Sequence, residues 1–270
     1  MLDLLFAGKF DEYIHAFREN SPLWVFVHVP KTAGSSLRGE LANVLLPEAN
    51  IFVDYDDPTK TFQQGLDAAV ARFIARNAKE PHRFASGHIF PQHVEAIAKA
   101  ARTIRRLTML RNPVRRVISD YRYQCSSMHP GNDVFRSSFP SLASYLEQEG
   151  EMNKATRYLV PEEILATGDA EACLAYITRT YDFVGLQEMY PLAFRFLFAL
   201  VDDRRAPTLR MRVNEGGEEL ASDPGVIAEV EARNALDVAI HKALLAKWKV
   251  IRDPLIEHLT ETQAATAPKA

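Results

Sequence analysis

Short apolar runs of strand type alternate along this chain with stretches whose apolar positions recur every three or four residues. Residues 23–29 form the first run. The helical pattern after it carries Leu37, Leu41, Val44 and Leu45 on one face and is closed by Pro47. Residues 51–55 read as a second strand, and residues 59–77 as a helix with Phe62, Leu66, Ala69, Val70 and Phe73 in its stripe. A third strand over 82–89 runs into a Gly-His corner before a helix over 91–102. A fourth strand over 105–110 precedes a helix over 114–124. Residues 127–138 read as a loop, and 140–180 as helical and irregular. Residues 182–186 form a short strand ahead of a helix over 189–200, and one long helical pattern covers 226–249. The alternation predicts an α/β fold, a mostly parallel central sheet flanked by helices. With no repeat and no long linker, residues 1–262 are expected to form a single domain, with 263–270 as a disordered tail of small and polar residues.

Composition narrows the function classes. The 270 residues are 47% hydrophobic and 25% charged, ordinary for a globular protein. A net charge of -3 and a pI near 6.3 provide no overall basic field, so a nucleic-acid partner is not expected. No stretch approaches 18 uncharged apolar residues, which argues against a membrane span. The N-terminus carries acids early and lacks a basic segment followed by an apolar core, so no signal peptide is expected. Cys125 and Cys173 do not make a disulfide framework, and a reducing cytoplasm is the simplest setting.

Chemistry concentrates at two strand-to-helix junctions. In WVFVHVPKTAGSSLR (24–38) an apolar strand delivers the chain to Pro30-Lys31, a small-residue turn and a helix. Thr32, Ala33 and Gly34 let backbone N–H groups approach a ligand, and either Ser35 or Ser36 can cap the helix. The helix N-terminus adds partial positive charge and free N–H donors, and Lys31 adds a full charge. This is an anion site, or else a plain turn with a surface lysine. It is not the G-x-x-x-x-G-K-[ST] loop of ATP and GTP enzymes, because here the lysine precedes the glycine. The second junction is LTMLRNPVRRVISDYRY (107–123), where a strand ends at Arg111, Asn112 suits an N-cap and Pro113 the first helical position. Arg115 and Ser119 lie four apart, near the opening that Arg111 guards. Residues 102–122 hold seven arginines and one acid, Asp120. Arginine's planar fork suits a dianionic phosphate. Arg116 and Arg122 fit a solvated basic helix face.

Taken together, these motifs resemble sulfotransferases that use 3′-phosphoadenosine-5′-phosphosulfate (PAPS), in particular the heparan-sulfate 2-O and 6-O carbohydrate group and its bacterial relatives. FVHVPKTAGSSL resembles their 5′-phosphosulfate loop and LRNPVRRVISDY their 3′-phosphate motif. SGHIF (86–90), NKATRYL (153–159) and FVGLQEMYPLAFRFL (183–197) fit the same pattern. The resemblance implies a P-loop-like sulfotransferase fold. It also implies that Lys31, Thr32, Ala33, Gly34, Ser35 and Ser36 surround the phosphosulfate, that Arg111 and Ser119 hold the 3′-phosphate, and that His88 is the catalytic base beside Lys31. The eukaryotic relatives begin with a membrane anchor, none is expected here, and no motif is matched after Leu200.

A neutral imidazole at His88 suits proton transfer near neutral pH. No metal is required, and His82, His88 and His93 match no common zinc spacing. His28 reads as a packed strand histidine and Tyr190, Phe194 and Phe198 as a core stripe. Asn153, Arg157 and Tyr158 either reach a ligand or lie on a helix surface. The expected reaction is sulfuryl transfer from PAPS to a hydroxyl acceptor. Because the visible basic cluster is taken up by the nucleotide, the acceptor is expected to be a sugar or glycolipid rather than a polyanion. A P-loop-type kinase or hydrolase is the alternative enzyme, and a non-catalytic nucleotide-binding protein of this fold the alternative outside catalysis. Oligomeric state is not readable.

Overall fold

The computed structural model describes residues 1–20, 22–54, 59–129, 131–201, 208 and 219–265. Helices α1 (Leu2–Phe6) and α2 (Phe10–Arg18) lead into β1 (Leu23–Val27), whose five residues are all buried. Then follow α3 (Gly34–Val44), β2 (Glu48–Ile51), α4 (Phe62–Lys79), β3 (Phe84–Gly87), α5 (Pro91–Ala100), β4 (Ile104–Leu110) and α6 (Pro113–Gln124). The helical region holds α7 (Asn132–Ser138), α8 (Leu142–Leu146), α9 (Lys154–Leu159), α10 (Glu162–Leu165) and α11 (Ala170–Thr180). The chain closes with β5 (Phe183–Leu186), α12 (Tyr190–Ala199), α13 (Pro224–Arg233) and α14 (Ala235–Ala265).

The five strands are all parallel, in the order β2-β3-β1-β4-β5. From β1 the chain moves toward one edge, and from β4 toward the other. Such a reversal opens a crevice beyond the carboxyl ends of the two strands. Parallel strands covered on both faces need continuous apolar runs, and LWVFV supplies one. Trp248, fully buried, anchors α14 to the sheet by donating its Nε1 hydrogen to the Val184 carbonyl at 2.9 Å.

Several expectations shift. The second strand lies at Glu48–Ile51 rather than 51–55, of which Tyr55 is outside the described residues. It is an edge strand paired only with β3, so it tolerates Glu48 and Asn50. Helix α4 starts at Phe62 because Thr61 and Gln64 form a reciprocal capping box. Part of the expected loop 127–138 is α7, held by buried Phe135 packed on Tyr145 and Phe139. The long C-terminal pattern divides at Asn234, fully buried, whose side-chain oxygen accepts from the Asn153 N–H at 2.9 Å. Helix α14 continues through Ala265, past the expected start of the tail; 266–270 lie outside the described residues.

Asn153 answers that bond. Its φ is 49°, and its Oδ1 accepts from the N–H groups of Leu236 and Asp237 at the start of α14. Asp237 in turn accepts from the N–H groups of Ala155 and Thr156 and from the Thr156 hydroxyl at 2.6 Å. Each helix thus caps the other. Asp237 also lies 4.0 Å from the guanidinium of Arg116, and both are 1% exposed at the side chain. Asp237→Ala removes three acceptor contacts and a buried counter-charge. We expect a loss of about 3–5 kcal/mol of stability, read as a lowered urea midpoint; an unchanged midpoint would rule out this junction as a structural clamp.

Candidate active site

The loop after β1 carries backbone strain where a ligand site would need it. Lys31 and Ala33 both have positive φ, 68° and 66°. Alternating backbone hands turn successive N–H groups toward one point, an arrangement that suits an anion. Thr32 is fully buried and its hydroxyl donates to the Val29 carbonyl at 2.9 Å, so that hydrogen braces the loop rather than facing the crevice. Helix α3 begins at Gly34, and no side chain caps its N-terminus. Its first-turn N–H groups and Ser35 therefore lie beside Lys31, a composition that fits a phosphate-like group. Ser36, at 9% exposure, is more enclosed.

Arg111, immediately after β4, joins this loop directly: its Nη1 donates to the Lys31 carbonyl at 3.2 Å. The bond uses the backbone of Lys31 and leaves the side chain independent of it. The Lys31 ammonium lies 4.0 Å from the centroid of Tyr123 on α6, a cation–π contact. Tyr123 was not singled out from sequence; its signal was an aromatic on the helix face after the second motif. In contrast to α3, α6 is capped: Asn112 Oδ1 accepts from the Arg115 N–H at 3.1 Å. Beside this capped end stand Arg111, exposed Arg115 and half-buried Ser119. Asn112 is itself fixed, because its N–H donates to Glu188 just beyond β5 at 2.6 Å. Burial would raise the Glu188 carboxyl, but hydrogen bonds from His241 and the Asn112 backbone outweigh it and hold the carboxyl below the usual glutamate range.

Not all seven arginines of 102–122 belong here. Arg105 donates to the Phe17 carbonyl, and Arg106 pairs with Glu95, both at the opposite end of β4. Five residue steps separate Arg106 from Arg111, about 16 Å at roughly 3.3 Å per residue. Arg116, read from sequence as solvated, is 1% exposed and sits between Asp120 and Asp237. Its face of α6 is turned inward onto α14, so its charge serves the interior. Burial pushes Asp120 upward, but Lys154 at 2.9 Å and Arg116 outweigh it and keep the carboxyl below its ordinary value. Arg102 precedes β4 at that same far end, which leaves Arg111 just after β4 and Arg115 and Arg122 on α6.

The third strand brings His88. Register pairs Val27 with Gly87, and the ladder continues with the His28 N–H donating to the Gly87 carbonyl at 2.9 Å. His88 is exposed, with Nδ1 2.6 Å from the His28 carbonyl. A carbonyl only accepts, so Nδ1 carries the hydrogen, and in the neutral ring Nε2 carries the lone pair. Phe90 stacks on Tyr158 at 4.6 Å, and the Tyr158 ring lies edge-on to His88 at 6.3 Å. NKATRYL thus meets SGHIF, while Asn153 is engaged at α14 and Arg157 donates to the Met152 carbonyl. His82 packs on Phe73 and His93 bonds Asp67. Among the described residues, no three His, Cys, Asp or Glu side chains group to hold a metal ion.

None of the curated protein sequences matches this chain. Solved structures that resemble it include a sulfotransferase from Alicyclobacillus acidocaldarius and mouse sulfotransferase SULT7A1 complexed with PAP. The first is 18% identical with TM-score 0.44, covering 82% of this chain and 96% of that one. The second is 11% identical with TM-score 0.40, covering 83% and 69%. The profile of the family described as "Sulfotransferase family" matches residues 15–169, more than half of the 270 and spanning both strand-end motifs and His88. The chain therefore belongs to the sulfotransferase family.

Proposed function

We propose that this enzyme, acting as one unit over residues 1–262 in the cytoplasm, transfers the sulfuryl group of PAPS to a hydroxyl on a sugar or glycolipid acceptor. The observation that carries the reading is the 3.2 Å bond between Arg111 and the Lys31 carbonyl, which sets the two anion motifs side by side on one crevice. Lys31 Nζ offsets the negative charge that grows on the 5′-phosphate as it leaves. The backbone N–H groups of 32–36, with the hydroxyls of Ser35 and Ser36, orient the donor, and Arg111 and Ser119 hold its 3′-phosphate. The donor supplies the sulfuryl group and the leaving phosphate. His88 Nε2 takes the acceptor's hydroxyl proton as the new O–S bond forms and the bond from sulfur to the 5′-phosphate oxygen breaks.

Two observations support a weakly charged acceptor and a cytoplasmic setting. The arginine cluster is divided between two ends of β4 and the interior, so it forms no continuous basic track for a polyanion. Among the described residues no helix is long and apolar enough to cross a membrane, and Cys125 and Cys173 are free thiols.

Thermal shift with 3′-phosphoadenosine-5′-phosphate (PAP) against ATP tests the nucleotide. Stabilisation by PAP alone is expected, and preference for ATP with Mg²⁺ would favour a kinase. Labelled PAPS offered to a panel of neutral glycans, glycolipids and heparan fragments then tests the acceptor; transfer to the heparan fragments alone would overturn the proposed class. Arg111→Ala is expected to weaken PAP by about 10–100-fold, since hydrogen bonds to charged groups contribute roughly 1.5–3 kcal/mol, and Ser119→Ala by less. Affinity for 5′-AMP should change little in Ser119→Ala and should fall less than affinity for PAP in Arg111→Ala, which also loses the bond to the Lys31 carbonyl; an equal loss for both nucleotides in both variants would remove the 3′-phosphate assignment.

A further inference from the structure

We infer that His28 is a positioning residue: its ring is a wedge that sets the distance and orientation of the base His88 relative to the donor-binding loop. The inference rests on the reading of His88 as base given above. His28 stands directly after β1, where the continued register of the parallel ladder places it opposite His88. Five contacts converge on this one residue. Its backbone N–H donates to the Gly87 carbonyl at 2.9 Å, so the main chains on either side of the base are locked together. Its carbonyl accepts from His88 Nδ1 at 2.6 Å. Its ring stacks on the His88 ring with centroids 4.4 Å apart and planes 25° apart, and the Phe26 ring lies near-parallel to it at 5.7 Å. On the remaining side the ring fills the space above Gly34, where an added Cβ would meet His28 Cδ2 at 2.2 Å and Nε2 at 2.5 Å.

The rings of Phe26, His28 and His88 thus form a column reaching from the core to the crevice, and Gly34 is the point at which the donor loop leans on it. A flat side chain is required at position 28, because only a flat ring both stacks on His88 and slides over a residue with no Cβ. Glycine is required at position 34 for the same reason, although its φ is not in the left-handed region. The base is exposed, and this wedge, the carbonyl below it and the Tyr158 edge all bear on its ring. A misplacement of about 1 Å between reacting groups can cost on the order of 10²-fold in rate, which gives a positioning ring a large lever without its touching the substrate.

The test is imidazole ¹⁵N NMR of the full chain bound to PAP, on wild type, His28→Ala and His28→Phe. In wild type, His88 should show Nδ1 protonated and Nε2 bare. In His28→Ala the two nitrogens should move toward the averaged shifts of a free imidazole, and His28→Phe should restore the wild-type pattern. His88 signals unmoved in His28→Ala, or unrestored by phenylalanine, would overturn the inference. This readout needs no acceptor, so it stands or falls apart from the base assignment. Turnover with the best acceptor of the panel adds a second arm. His28→Ala should lower kcat by about 10–100-fold with PAP affinity unchanged by calorimetry, and should lower it no further in the His88→Ala background. Additive losses, or a fall in PAP affinity matching the fall in kcat, would place His28 in the loop rather than behind the base. Full activity of His88→Ala would instead remove the base assignment itself.

Discussion

Lys31→Ala should lower sulfuryl transfer by about 10³-fold or more while leaving the urea midpoint of unfolding unchanged. A single preorganised donor aimed at developing charge is worth on the order of 10²–10³-fold, and Lys31 adds a full charge to that geometry. The stability half of the expectation follows from how Lys31 is held. Arg111 bonds its carbonyl, which alanine retains; the ammonium lies over the Tyr123 face, and its pull on Asp120 is smaller than those of Lys154 and Arg116. Lys31→Arg should rescue poorly, because a planar fork does not replace a compact ammonium in a narrow turn. Turnover of labelled PAPS by the alanine variant within tenfold of wild type would remove Lys31 from the chemistry.

His88→Ala is the second large effect. A positioned general base contributes about 10²–10⁴-fold, and the loss should fall on kcat, with PAP affinity intact. The separation is structural. His88 extends from the end of β3, bonded to the His28 carbonyl, while the nucleotide motifs lie after β1 and β4. Its exposure means that truncation uncovers little core. A variant that loses PAP affinity rather than turnover would make His88 a donor ligand.

The sequence made the strand ends legible because each joins two unlike signals. A buried parallel strand must be apolar throughout, so LWVFV and the end of LTML announce themselves, and the lysine or arginine that follows stands out sharply. Distant pairings were not legible. Asn153 and Asp237 are 84 residues apart, and nothing local in NKATRYL reports that its first amide caps another helix. Arg115 and Arg116 are adjacent and chemically alike, yet one is exposed and the other is 1% exposed, because 100° of helix rotation separates their faces. Counting arginines over 102–122 merged both ends of a strand into one cluster, which the fold pulls apart. His28 reads in the sequence as a packing residue, and it does pack, but what it packs against, Gly34 and His88, depends on strand order, which periodicity does not contain.

The central claim is that the loops after β1 and β4 grip the two anionic ends of one nucleotide. A crystal structure with PAP bound measures it directly. The account predicts the 5′-phosphate against Lys31 and the start of α3, and the 3′-phosphate against Arg111 and Ser119. A nucleotide bound elsewhere, touching neither Lys31 nor Arg111, would contradict it.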